Sequence, residues 1–208
     1  MPDIPNRNEL EARMARLLGK LTRAQMGRLL EELGDPPRVE NVSPTFWDDA
    51  GKELRDAIRP FMERVYLESA QRLMTEQPVG VSWELVNERA ADWSSTYTFD
   101  LVRGIDEVTR RHLQNSINRY YRDAQTMEEL VTHIGQMYGP VRAEMVAITE
   151  VTNASTAGER MVADEVAVAG IELEPIFQTS NDDRVCPICA PRHGKPITDG
   201  QYPALHPR

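Results

Sequence analysis

Apolar residues recur at helical spacing along most of this chain. Leu10, Met14, Leu17, Leu18, Leu21, Leu29, Leu30 and Leu33 form one such stripe. Asn8-x-x-Glu11 has the form of a capping box at its start, with Gly34 and Pro36-Pro37 as its end. A second helix is predicted from Ser43-Pro44, where Ser caps and Pro fits the first turn. Asp48 and Asp49 lie in that turn, and Leu54, Ile58, Phe61, Met62 and Val65 make the apolar stripe. Pro60 is expected to kink or split this helix near Arg59. Gln77-Pro78-Val79-Gly80 breaks the pattern and divides a helical N-terminal region, residues 1–78, from a second region, residues 79–208.

Helical spacing resumes with Trp83, Leu85, Val86, Ala90 and Trp93. Residues 97–102 are ambiguous, with enough aromatic and β-branched side chains to weaken a helix there, and a further helix is predicted over 106–121. Thr126-x-x-Glu129 is another capping box, opening a short helix with Leu130, Ile134 and Met137. Gly139-Pro140 ends it and starts the next, which runs to about Ala169 with Gly170 as its stop. Val141, Met145, Ile148, Thr152 and Met161 are its candidate core positions. After it, Ile171, Leu173 and Phe177 alternate with polar residues as a short strand would, with Pro175 restricting that strand to an edge. The expected fold class is therefore mainly α with a small α+β C-terminal part. Its helices would pack on a short β-hairpin and loop region pinned by a Cys/His site.

Composition changes this picture little. The chain has 208 residues, 40% of them hydrophobic and 27% charged, enough apolar material for a real core. Its formal net charge of -9 disfavours a nonspecific DNA coat, which needs a surplus of Lys and Arg. The opening residues lack the apolar stretch of a signal peptide, and no run approaches the roughly 18 apolar residues that span a bilayer. Two cysteines make no disulfide framework, so a reducing compartment is expected.

Those cysteines carry the candidate chemistry. Cys186-Pro187-Ile188-Cys189 can place two thiolates on one tetrahedral Zn²⁺, with His193 and His206 as further ligands in this chain. A turn-rich tail this poor in periodic apolar residues needs some such staple. Two reduced cysteines in a loop, or a redox dithiol, are the alternatives. A glutaredoxin-like domain is disfavoured, because Pro191, Gly194 and Pro196 forbid the long helix that must follow the motif. A zinc deaminase lacks its general acid: His112 precedes Leu113-Gln114, His133 precedes Ile134-Gly135, and Val185, not proline, precedes Cys186. No nucleophile elbow, phosphate-binding glycine loop or His-Glu-x-x-His occurs. The carboxylate pairs Glu31-Glu32, Asp48-Asp49, Glu128-Glu129 and Asp164-Glu165 read as solvated helix faces. Arg103, Arg110, Arg111, Arg119 and Arg122, with Tyr120 and Tyr121, could meet phosphates, but Asp106, Glu107 and Asp123 balance them.

Three segments together resemble the phage Mu F-like minor head proteins, a head-morphogenesis family. They are Tyr97-Thr98-Phe99-Asp100-Leu101-Val102-Arg103-Gly104-Ile105 with Thr109-Arg110-Arg111, then Arg142 to Thr152 with its Thr149-Glu150 pair, and Phe177-Gln178-Thr179 through the cysteines to Gly194 and Leu205-His206-Pro207. The resemblance covers roughly residues 80–208. It implies a structural protein of a phage or prophage, with no catalysed reaction and no small-molecule substrate. Such a protein associates with the portal vertex and head proteins, assists head assembly or DNA delivery, and resides in the virion, or in the host cytoplasm during assembly. It further implies that Cys186, Cys189 and His206 are metal-ligand-like positions, His193 falling where the family pattern is looser. The family usually continues past His-Pro with a Cys-x-Cys, whereas this chain ends at Arg208. A truncation before the last thiolates is therefore expected, and with it weaker zinc binding. Glu150 is expected to pair with Arg142 or Arg184. A zinc-stabilised nucleic-acid-binding module and a phage-associated toxin-type transferase are the alternative readings, the first disfavoured by the acidic balance and the second by the missing nucleophile.

Overall fold

The computed structural model describes residues 6–76, 80–171, 173–179 and 185–197. Five helices account for most of them: α1 Arg7–Leu33, α2 Phe46–Glu76, α3 Trp83–Arg122, α4 Met127–Tyr138 and α5 Pro140–Val168. Short 3-10 turns lie at Val39–Asn41 and Ala190–Arg192. None of the described helices is long and apolar enough to cross a membrane.

Several predicted boundaries move. α1 starts from Asn6, whose φ of 56° is left-handed and whose side chain caps nothing. Glu11 is drawn to Arg7 at 2.7 Å instead of reaching back to Asn8. Pro60 does not split α2. The proline is exposed, so the missing N–H costs a bond on the wet face, while Ile58, Met62 and Val65 hold the buried face. The ambiguous segment 97–102 is helical and joins the helix expected over 106–121, so that α3 runs unbroken for 40 residues. Thr98 and Val102 are almost completely buried there, and packing outweighs their weak helix propensity. The capping box at Thr126 forms as predicted, with Thr126 Oγ1 taking the Glu129 N–H and Glu129 Oε2 taking the Thr126 N–H.

The core falls into three clusters. Met14 and Leu18 of α1 meet Leu54, Ile58 and Met62 of α2, Val102 of α3, and Ala147 and Val151 of α5. Leu29 and Leu33 meet Phe46, then Leu113 and Ile117 of α3, and Leu130 and Ile134 of α4. Ala70 and Leu73 meet Val86, Val162 and Val166. Each cluster joins residues from before and after the break at 77–80. Each fully buried large side chain contributes about 1.5–3 kcal/mol of transfer free energy.

The buried face of α5 differs from the predicted one. Ala143, Ala147, Val151, Ala154, Ser155 and Gly158 face inward, while Val141 is 70% exposed. Small residues let α2 approach closely. A Cβ on Gly158 would stand 2.2 Å from the Tyr66 carbonyl oxygen, and Ser69 and Ser155 hydrogen-bond through their hydroxyls at 2.8 Å in the same interface.

No strand occurs among the described residues, which corrects the expected β-hairpin. A single antiparallel bridge joins Ile176 to Pro196. Phe177 donates to the Lys195 carbonyl at 2.9 Å and Ile197 to the Pro175 carbonyl at 2.7 Å. Pro175 lacks the N–H that the next rung would need, and a turn from Arg192 to Lys195 closes the other side.

Candidate functional site

The C-terminal segment leaves α5 through Gly170, whose φ of 84° permits the left-handed exit. The Ile171 N–H bonds to the Val166 carbonyl and the Gly170 N–H to the Ala167 carbonyl, closing the helix. Leu173 then packs on the cluster around Leu73 and Val166, which anchors the segment to the bundle. Beyond the Ile176–Pro196 bridge, residues 186–189 form a tight turn. The Cys186 carbonyl accepts from both the Cys189 and Ala190 N–H groups at 3.0 Å.

This turn brings the two cysteines together. The Cys189 N–H lies 3.3 Å from Cys186 Sγ, and the thiols hydrogen-bond each other. Desolvation raises the Cys186 thiol, but the Cys189 N–H and thiol, the Ile188 N–H and the Arg192 guanidinium outweigh it and leave the group below its ordinary range. Cys189 moves the other way, through desolvation first and then its bond to Cys186.

His193 makes other bonds. His193 Nδ1 accepts the Thr179 N–H at 3.1 Å and lies 2.9 Å from Thr179 Oγ1. A backbone N–H can only donate, so Nδ1 keeps its lone pair inward and the neutral ring carries its proton on Nε2. A ligating imidazole has the reverse arrangement, donating from the nitrogen that does not hold the metal. His193 thus pins the Phe177–Thr179 side of the segment to the turn. His206 and Arg184 lie outside the described residues. Among the described residues, no group of three or more His, Cys, Asp or Glu side chains is placed to hold a metal ion. The two sulfurs fit half of a tetrahedral zinc site, and the remaining donors would have to come from elsewhere.

A second set of polar side chains lies between the helices, and sequence spacing did not reveal it. Tyr97 of α3 donates to Glu150 Oε2 of α5 at 2.6 Å, and Asn153 Nδ2 contacts Tyr97 Oη at 2.6 Å and Glu150 Oε2 at 3.1 Å. Trp93 stacks on Tyr97 with ring centroids 4.7 Å apart. Burial raises the Glu150 carboxyl above its usual range, opposed by the bonds from Tyr97 and Asn153. The Tyr97 hydroxyl is raised too, by desolvation and then by the adjacent carboxylate. About two turns away on α5, Arg142 bonds Thr109 Oγ1 and the Met137 carbonyl, each at 3.0 Å. The predicted Glu150–Arg142 pair does not form: Glu150 is held by Tyr97 of α3 and Asn153 of α5, and Arg142 by Thr109 of α3 and Met137 of α4. Asp106 stands nearby, pushed up to about 6 by desolvation against the pull of Arg110, Arg55 and Arg142. The cleft among Asp106, Thr109, Tyr138 and Arg142 encloses about 30 Å³, room for one water-sized molecule.

The arginines of α3 do not form one patch. Arg103 pairs with Asp100, Arg110 lies over the Trp47 ring at 4.9 Å, and Arg122 pairs with Asp123. Tyr121 donates to the Pro37 carbonyl at 2.7 Å. Compared with known proteins, the chain matches no family model, no curated sequence and no solved structure.

Proposed function

We propose that this chain is a structural component of a phage or prophage head, acting in head morphogenesis at the portal vertex or in DNA delivery, and catalysing no reaction. The observation that carries the reading is the pairing of the residues that bear the family resemblance. Tyr97 and Thr109 come from one resembling segment, Glu150 and Arg142 from another 30 or more residues away, and they meet as Tyr97–Glu150 at 2.6 Å and Thr109–Arg142 at 3.0 Å. Within the third segment, the Gly194 N–H bonds the Phe177 carbonyl at 2.8 Å and His193 bonds Thr179. Residues shared with a family for the sake of its framework are expected to bind one another. Residues shared for a reaction are expected to converge on open space.

The Glu150 carboxylate supports the same reading. It is buried and accepts hydrogen bonds from Tyr97 of α3 and Asn153 of its own helix, so it is poorly placed to shuttle a proton to a bound molecule. The proposed partners are the portal and head proteins and the DNA packaged behind them. Zinc on Cys186 and Cys189, with His206, is a separable part of the proposal, and His193 is left out of the ligand set. The test is co-elution with the portal protein of the same phage on size exclusion with light scattering, in moderate salt. A stable complex is expected. Separate elution at both low and moderate salt would overturn the proposal.

A further inference from the structure

We propose that Cys186 and Cys189 are a reversible dithiol–disulfide site that exchanges with small-molecule disulfides of the glutathione class. The inference is independent of the head-assembly reading, competes with the zinc proposal for the same two sulfurs, and rests on geometry. The Cys189 N–H reaches the Cys186 carbonyl at 3.0 Å, closing a turn in which the first and last Cα atoms lie within about 7 Å, and a disulfide spans about 4.4–6.8 Å between Cα atoms. The Cys189 N–H also lies 3.3 Å from Cys186 Sγ, and the two thiols already hydrogen-bond, so bridging requires little backbone movement.

Access is the second requirement, and the turn provides it. Both cysteines are partly exposed, and between them Ile188 is 59% exposed at the tip of the turn. The cysteines belong to none of the three core clusters, so reaching a sulfur does not require opening the bundle.

The exchange balances in two steps. One thiolate of the pair attacks a sulfur of glutathione disulfide. A mixed protein–glutathione disulfide forms, the glutathione S–S bond breaks, and one glutathione leaves as thiolate. The second protein thiolate then attacks the protein sulfur of the mixed disulfide, forming the Cys186–Cys189 bond and releasing the second glutathione. The protein loses two electrons, the glutathione disulfide gains them, and the two thiol protons pass to the departing thiolates through solvent. An excess of reduced glutathione drives the reverse.

The test equilibrates the full chain in glutathione buffers of increasing oxidised fraction, quenches with an alkylating agent and measures intact mass. Loss of both alkylatable thiols in a monomeric product, restored by dithiothreitol, is expected. The Cys189→Ser variant is expected to stop as the mixed disulfide, carrying one glutathione on Cys186. Circular dichroism of both proteins checks that the helices are intact. Two alkylatable thiols in the fully oxidised buffer would overturn the proposal. So would an oxidised product linked only between chains, or stoichiometric zinc that holds both thiols reduced.

Discussion

Glu150 Oε2 accepts two hydrogen bonds inside the bundle, from Tyr97 and Asn153. Removing it strands the Tyr97 hydroxyl, while Asn153 Nδ2 keeps Tyr97 Oη as an acceptor, and a buried unpaired group costs about 1–3 kcal/mol. Glu150→Ala is therefore expected to destabilise by about 1–3 kcal/mol in urea unfolding. Glu150→Gln, which keeps an oxygen for both donors, is expected to cost about 1 kcal/mol or less. Equal losses would show that volume, not hydrogen bonding, matters here. Asp106 makes the opposite case. Its folded-state pKa of about 6 stands above the ordinary 3.8, so the folded protein holds that proton more tightly than the unfolded chain does. Its contribution to stability is fully present below pH 3.8 and is lost as pH rises through about 6. Asp106→Asn is expected to stabilise the protein by about 1 kcal/mol at neutral pH, a value reduced for partial solvent exposure. That gain should disappear in acid. Thermal unfolding of both proteins across this range checks the sign, and a gain that grows on acidification would contradict it.

At the scale of the element, close approach of α2 and α5 depends on Gly158. Ala there would add about 1 kcal/mol of helix propensity, yet its Cβ would collide with the Tyr66 carbonyl. Gly158→Ala is expected to cost a net of about 1–3 kcal/mol by urea unfolding. Pro60 sits on the wet face of α2, where restoring an N–H costs nothing sterically. Pro60→Ala is expected to stabilise by about 1 kcal/mol or more, and a loss would show that the proline relieves strain in α2. These two residues also mark what the sequence could and could not reveal. Local chemistry was readable: Thr126 and Glu129 cap α4, and Gly170 ends α5, because three or four consecutive residues decide the outcome. Asn8 and Glu11 misled, since Arg7 competes for the carboxylate. The alanines and glycine facing inward on α5 were hidden behind larger residues beside them, because spacing cannot report how near a second helix lies.

At the scale of the whole molecule, the same limit governs the candidate site. The Cys-x-x-Cys pair was visible from its spacing. The commitment of His193 to Thr179 was not, because 14 residues separate them, and 53 separate Tyr97 from Glu150. The helices form one connected framework in which each core cluster draws on α2 and α3 together. The C-terminal segment rests on that framework through Leu173 and carries the cysteine turn outward. This division suits a building part whose bundle supports and whose extremities contact partners. The central claim is that the chain is built into phage heads. Quantitative mass spectrometry of purified precursor heads and mature particles of the phage proposed to encode it tests this most directly. The account predicts the chain in both, at a few copies for each portal ring. Its absence from both, in an infection where the chain is abundantly expressed, would contradict the account.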